Sequence, residues 1–164
     1  MTKILFICHG NICRSPMAEF VMKHLVAQAK RSGEFEIDSA AVSTEEIGND
    51  MYPPAKRKLR EKGIPFTPRS ARQVTADDYR YYDHLICMDH SNLRLLRYII
   101  GEDTQGKVSL LMEWVKGRTP NDKMINDQMV NDQMVNVADP WYTGDFETTY
   151  RDIAEGCTAL LKQL

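Results

Sequence analysis

Few cysteines and no long apolar run set the first limits on this chain. Its 164 residues hold four cysteines, Cys8, Cys13, Cys87 and Cys157, too few for a disulfide framework and without a Cys-x-x-Cys pair. No stretch approaches the roughly 18 consecutive apolar residues of a membrane span. There is no excess of one charge either: 21 Lys and Arg stand against 23 Asp and Glu, a net of −2, so no nucleic-acid partner is expected. Residues 1–10 lack both the apolar core and the small-residue cleavage site of a secretory signal. The expectation is a cytoplasmic protein, one domain over residues 1–164, without a membrane partner.

What the chain does have is alternation. "KILFIC" (3–8), "EFEIDSA" (34–40), "HLICMD" (84–89) and "KVSLLMEW" (107–114) read as strands, the first continuously apolar as a strand buried on both faces must be. Helices are predicted over 16–31, 53–63, 91–101 and 144–164. In the first, Met17, Phe20, Val21, His24, Leu25 and Ala29 share a face, Pro16 suits the first turn and Ser15 is a candidate cap. Gly63 and Gly101 close the second and third. The last carries an apolar stripe of Phe146, Tyr150, Ile153, Cys157, Leu160 and Leu161. Strands alternating with helices imply an α/β fold, a parallel sheet covered on both faces, with sites outside the carboxyl ends of the strands. Cys8 ends the first strand, whereas Cys87 and Cys157 sit in apolar runs and read as buried, inert thiols.

One segment breaks the alternation. In residues 121–136 a pentapeptide repeats, with Asn at 121, 126, 131 and 136. Five residues advance a helix by about 140° beyond a full turn, and in a strand they send successive copies to opposite faces. Neither element gains a consistent apolar face, so the segment reads as a tandem duplication inserted in a surface loop, with a lid or partner-binding role as the alternative. Its Asn and Asp do not match a calcium loop, which needs a closing Glu.

The chemistry concentrates in "CHGNICRS" (8–15). The N–H groups of His9, Gly10, Asn11, Ile12, Cys13 and Arg14 can curl around an anion at the start of the first helix, where the helix dipole favours negative charge. Gly10 permits unusual dihedrals and Asn11 suits a left-handed one. Arg14 offers a fork for two phosphate oxygens. A thiolate at Cys8 is a strong nucleophile, favoured by the helix terminus and Arg14, and the Ser15 hydroxyl is placed to hydrogen-bond it. The Walker ending Gly-Lys-Ser/Thr is missing. Zinc on Cys8, His9 and Cys13 lacks a fourth ligand, and the Cys-x4-Cys spacing argues against a dithiol redox site. A nucleophile aimed at a bound phosphate is what the arrangement offers, with a purely structural turn as the bland alternative.

"CHGNICRS" with "PMAE" behind it resembles the signature of the low-molecular-weight protein tyrosine phosphatases, and "DSAAVS" (38–43), "ARQV" (71–74), "CMDHSNL" (87–93) and "DPWYTGDFETTY" (139–150) follow in family order. The resemblance implies a doubly wound four-stranded parallel sheet of order 2-1-3-4 with helices on both faces. It implies Cys8 as nucleophile, Arg14 as transition-state binder and Asp139 as general acid, with Asn11, Ser15, Ser39 and Asp89 supporting the loop. Trp141 and Tyr142 would line the substrate cleft, and no metal or other cofactor is required, since arginine and amides carry the phosphate charge. The implied partner is a phosphotyrosine-containing protein, and the expected state a monomer or weak dimer. Asp139 also makes sense by itself: a leaving phenoxide needs a proton, and Pro140 holds the carboxylate's backbone extended.

Three departures stand out. Glu45 occupies the cleft-wall place where an aromatic is common, Arg69 and Ser70 replace a histidine before "ARQ", and the repeat lengthens the connection to Asp139. Two alternatives share the fold. An arsenate reductase would relay a disulfide through a distal cysteine pair, and Cys87 has no such neighbour. A phosphoarginine phosphatase tends to carry Thr where Ile12 stands here, and an idle phosphate-binding module would have no use for the acid.

Overall fold

The computed structural model describes residues 1–115 and 135–164; the repeat, apart from Val135 and Asn136, lies outside them, and so does the loop expected there. Four strands, β1 (Thr2–Cys8), β2 (Phe35–Ala41), β3 (His84–Cys87) and β4 (Val108–Leu110), form an all-parallel sheet in the order β2-β1-β3-β4. This is the order expected. Ile4, Leu5, Phe6 and Ile7 alternate between the two sheet faces and all are fully buried, so both faces are covered.

The helices among the described residues are α1 (Arg14–Gln28), α2 (Pro53–Glu61), α3 (Ala76–Tyr81), α4 (His90–Ile100), α5 (Pro140–Thr143) and α6 (Phe146–Gln163). α1 packs on β1, β2 and α6, and α2 on α6; α4 packs on β3, β4 and α3. Pro53 opens α2, and Gly63 and Gly101 take positive φ beyond α2 and α4, as their places in the sequence predict.

The structure differs from the sequence reading at several points. Helix α1 has no single apolar stripe: from Arg14 to Met22 every residue is buried, Ala18 and Met22 included, while Ala29 is exposed. A helix start packed between sheet, loop and α6 has no solvent face to keep polar. Ser15 does not cap it; the helix begins at Arg14 without a side-chain cap. The fourth strand stops at Leu110, and Leu111–Trp114 form a 3-10 turn because the Leu110 N–H turns to the Glu113 carboxylate at 2.8 Å. An apolar run alone does not distinguish a strand from a buried turn. Two short helices went unread. α3 has a capping box between Thr75 and Asp78, and α5 is one turn capped by Asp139.

The register brings the chemistry to one edge. Cys8 pairs with Ala41 and Ile7 with Cys87, so the loops after β1, β2 and β3 leave the sheet side by side. A single bridge between Ala41 and Gln73 draws the segment around Arg72 to the same edge.

Gly156 marks a tight contact in the core. A Cβ there would lie 2.5 Å from Leu111 Cγ, so the α6 backbone rests on that side chain. Gly156→Ala would stabilise an open helix by about 1 kcal/mol. Here overpacking should instead destabilise by about 1–3 kcal/mol in urea unfolding, and Leu111→Ala should cost less in the Gly156→Ala chain than in the parent.

Candidate active site

The loop from Cys8 to Arg14 has to reverse direction within five residues, and Asn11 makes that possible by taking φ of +61°. Its side chain, fully buried, then holds four neighbours. Nδ2 donates to Ser15 Oγ at 2.8 Å and Ser39 Oγ at 3.0 Å, while Oδ1 accepts from the Arg72 N–H at 3.2 Å and from the Arg69 guanidinium. Gly10 is not in the left-handed region, contrary to expectation, since Asn11 makes the turn; a Cβ on it would meet Glu46 Cγ at 3.4 Å.

Loop carbonyls point outward and are occupied. Cys8 O accepts from the Val42 N–H, His9 O from Ser43 N–H and Oγ, and Ile12 O from the Tyr52 N–H. On the other side the N–H groups of Asn11 and Ser15 face the sulfur. Cys8 Sγ receives the Asn11 N–H at 3.3 Å and the Ser15 N–H at 3.4 Å, with Ser15 Oγ 3.0 Å away. Two backbone amides and a hydroxyl thus converge on the one sulfur. Behind the loop Ser39 Oγ donates to Glu19 Oε1 at 2.6 Å, and Glu19 is paired to Lys23.

Arg14 is 2% exposed, and three contacts hold its guanidinium. Nη1 donates to Asp89 Oδ2 at 2.6 Å and to the Val137 carbonyl at 2.9 Å; Nη2 reaches Asp139 Oδ2 at 3.3 Å. Burial works against its charge, but Cys8, Asp89 and Asp139 outweigh burial and push its pKa up. Asp89 is itself fixed, because its Oδ1 caps α4 through the Asn92 N–H at 2.9 Å, and Asn92 Oδ1 accepts from the N–H groups of Met88 and Asp89. Asp139 divides its carboxylate in the same way: Oδ1 accepts from the Trp141 N–H at 3.1 Å, capping α5, and Oδ2 faces Arg14. Its backbone is extended, as a residue before proline should be.

Above the loop lies a cleft of about 460 Å³, lined by Cys8, Arg14 and Asp139 with the loop residues His9, Gly10, Ile12 and Cys13. Glu45, Trp141 and Tyr142 form its walls, joined by Glu46 and Asp89. Glu45 is paired to His9 Nε2 at 2.9 Å, Trp141 packs on Tyr52 with ring centroids 5.0 Å apart, and Tyr142 is almost fully exposed. Asn11, Ser15 and Ser39 sit beneath the cleft and do not line it. The sequence reading passed over Glu19, Asn92, Arg72 and the Val137 carbonyl. Glu19, Arg72 and Asn92 lie within "PMAE", "ARQV" and "CMDHSNL", but a carbonyl acceptor leaves no residue-type signal. All four thiols are free. Burial, then the nearby Cys8 and Asp139, push the Cys13 thiol up to about 12; burial also pushes Cys87 and Cys157 up.

A thiol seated in inward-facing amides at the end of a parallel strand, beneath an arginine fork, defines a cysteine-based, phosphate-binding α/β domain. Comparison with known proteins agrees. A family model described as low molecular weight phosphotyrosine protein phosphatase matches residues 3–164. The chain belongs to that family. A low molecular weight phosphotyrosine protein phosphatase of Gallus gallus is 38% identical over 98% of this chain and 94% of its own. The Bacillus subtilis low molecular weight protein-tyrosine-phosphatase YfkJ is 35% identical over 100% of this chain and 96% of its own. Its crystal structure superimposes with a TM-score of 0.86, covering 99% of this chain and 94% of that one. The crystal structure of a Drosophila arginine phosphatase gives 0.82 at 27% identity, covering 99% and 97%.

Iodoacetate near pH ~7 should alkylate Cys8 first, because its anionic end suits the cradle while the other thiols stay protonated. Inorganic phosphate should protect Cys8. Peptide mapping that finds Cys87 or Cys157 modified first would place the reactive thiol elsewhere.

Proposed function

We propose that the protein hydrolyses phosphotyrosine in protein substrates, and aryl phosphates generally, through a phosphocysteine at Cys8. The observation that carries this is the sulfur's position at the focus of the Asn11 and Ser15 amides, with Arg14 and Asp139 over the same cleft. Phosphate oxygens take the loop amides and Arg14 Nη2, whose contact to Asp139 is the long one of its three. Cys8 Sγ attacks phosphorus as the ester P–O bond breaks. Asp139, released from Arg14, takes up a proton from solvent and gives it to the departing phenoxide. The resulting carboxylate takes a proton from water as that water attacks the phosphocysteine, and the S–P bond breaks to return thiolate and phosphate. Ser15 Oγ, 3.0 Å from the sulfur, stabilises the thiolate as it leaves. Asp89 suits the acid's role less, since its two oxygens are held by Arg14 and the α4 cap.

A second reading, hydrolysis of phosphoarginine, takes support from the Drosophila structure and from Glu45 and Glu46 on the cleft wall, which would face a guanidinium leaving group. Ile12 speaks for the aryl ester. Assaying a phosphotyrosine peptide, a phosphoserine peptide and phosphoarginine side by side decides between them.

Cys8→Ser should bind substrate without turnover, and Arg14→Lys should lose most activity because a point charge cannot replace a fork. Asp139→Asn should lower kcat/KM for phenyl phosphate by roughly 10²–10⁴. That deficit should shrink as the leaving group becomes more acidic and needs less protonation. A uniform loss across leaving groups would mean that Asp139 serves binding instead.

A further inference from the structure

The last asparagine of the period-five series, Asn136, stands three residues before Asp139. Its Oδ1 faces the first residue of α4. The His90 backbone N–H donates to it at 3.2 Å, and the His90 ring Nδ1 lies 2.9 Å from it. With the amide oxygen fixed as acceptor by the backbone N–H, the ring nitrogen must carry hydrogen, so His90 donates twice to one atom.

The two following residues are tied as well, through their backbones. The Val137 N–H donates to the Met88 carbonyl at 2.8 Å, the Val137 carbonyl accepts from Arg14, and the Ala138 carbonyl accepts from Thr149 Oγ1 at 3.1 Å. Most residues could form those backbone ties. The tie at 136 depends on a side chain with an acceptor oxygen.

Register follows from the same stretch. Val137 is 1% exposed, whereas a five-residue slip of the repeat would bring Asp132 to its buried place and Asn131 to His90. Asparagine followed by valine occurs once in the series, at 136–137, and that pair alone satisfies both the His90 donors and the apolar slot.

We propose that Asn136 is a positioning residue: by clasping His90 at the start of α4 it fixes where the segment leaves the repeat, and so where Asp139 stands over the cleft. The proposal rests on Asp139 being the general acid. Without the clasp the backbone ties at Val137 and Ala138 still hold cradle, Arg14 and nucleophile in place, but the carboxyl drifts from the leaving oxygen, so the loss should track the need for a proton.

Asn136→Ala should lower kcat/KM for phenyl phosphate by about tenfold, the scale of loss when a reacting group is misplaced by a fraction of an ångström. For 2,4-dinitrophenyl phosphate, whose leaving group needs little protonation, the loss should be under about twofold. Asn136→Asp, which keeps the acceptor oxygen, should restore most of the phenyl phosphate rate. In an Asp139→Asn background, Asn136→Ala should cost less than about twofold more, as expected of residues acting through one group. An equal loss with both esters, or a loss that multiplies with Asp139→Asn, would overturn the proposal. So would a silent Asn136→Ala beside an Asp139→Asn that loses activity in the leaving-group-dependent way. If Asp139→Asn itself shows no such dependence, the acid reading falls and this proposal with it.

Discussion

A guanidinium buried to 2% exposure is the constraint on which the site depends. Leaving such a charge unpaired costs about 3–5 kcal/mol, so Arg14 cannot be accommodated until its acceptors are in place. Those acceptors come from two distant stretches, Asp89 after β3 and the Val137–Asp139 segment before α6. Satisfying one side chain therefore assembles three parts of the chain at the carboxyl edge of the sheet. It also explains why Asp89 is locked by a reciprocal cap with Asn92: an acceptor free to rotate would not hold the arginine in one orientation.

The second constraint lies in the loop beneath. Backbone amides serve as an anion cradle only if their own carbonyls are satisfied elsewhere, and here the stretch between β2 and α2 supplies partners for three of them. The left-handed Asn11 turns the chain, and its carboxamide converts that turn into a junction with Ser15, Ser39, Arg69 and Arg72. Arg69 takes the position where the sequence comparison expected a histidine. Its charge persists although burial lowers its pKa, which adds a fixed positive field behind the cradle.

Much of this was legible because it is local. β1 announces itself through an apolar run, Cys8 through its place at the strand end, and the capping at Gly63 and Gly101 through residue type. Asp139 was legible through the family resemblance, with the proline after it fixing its backbone. What stayed hidden depends on tertiary partners. The end of β4 is decided by a Glu113 carboxylate folding back on Leu110, and the burial of α1 by α6, more than a hundred residues later in the chain. Gly10 misled because its freedom is unused where Asn11 makes the turn. Asn136 looked like one more unit of a repeat, and nothing in its local sequence names His90.

The three contacts of Arg14 are unequal, and that inequality connects binding with chemistry on the proposed mechanism. Nη1 sits 2.6 Å from Asp89 and also holds the Val137 carbonyl, a pair of contacts that an incoming anion has little reason to break. Nη2 reaches Asp139 at 3.3 Å, a distance at which a charge-assisted hydrogen bond has lost much of its strength. A phosphate oxygen at closer range displaces that contact first. The carboxyl group so released is the one the leaving oxygen requires, and its other oxygen stays anchored by the Trp141 N–H, so release is a small rotation about a fixed point. Arrival of the substrate thus frees the same carboxylate that holds the buried arginine in the structure.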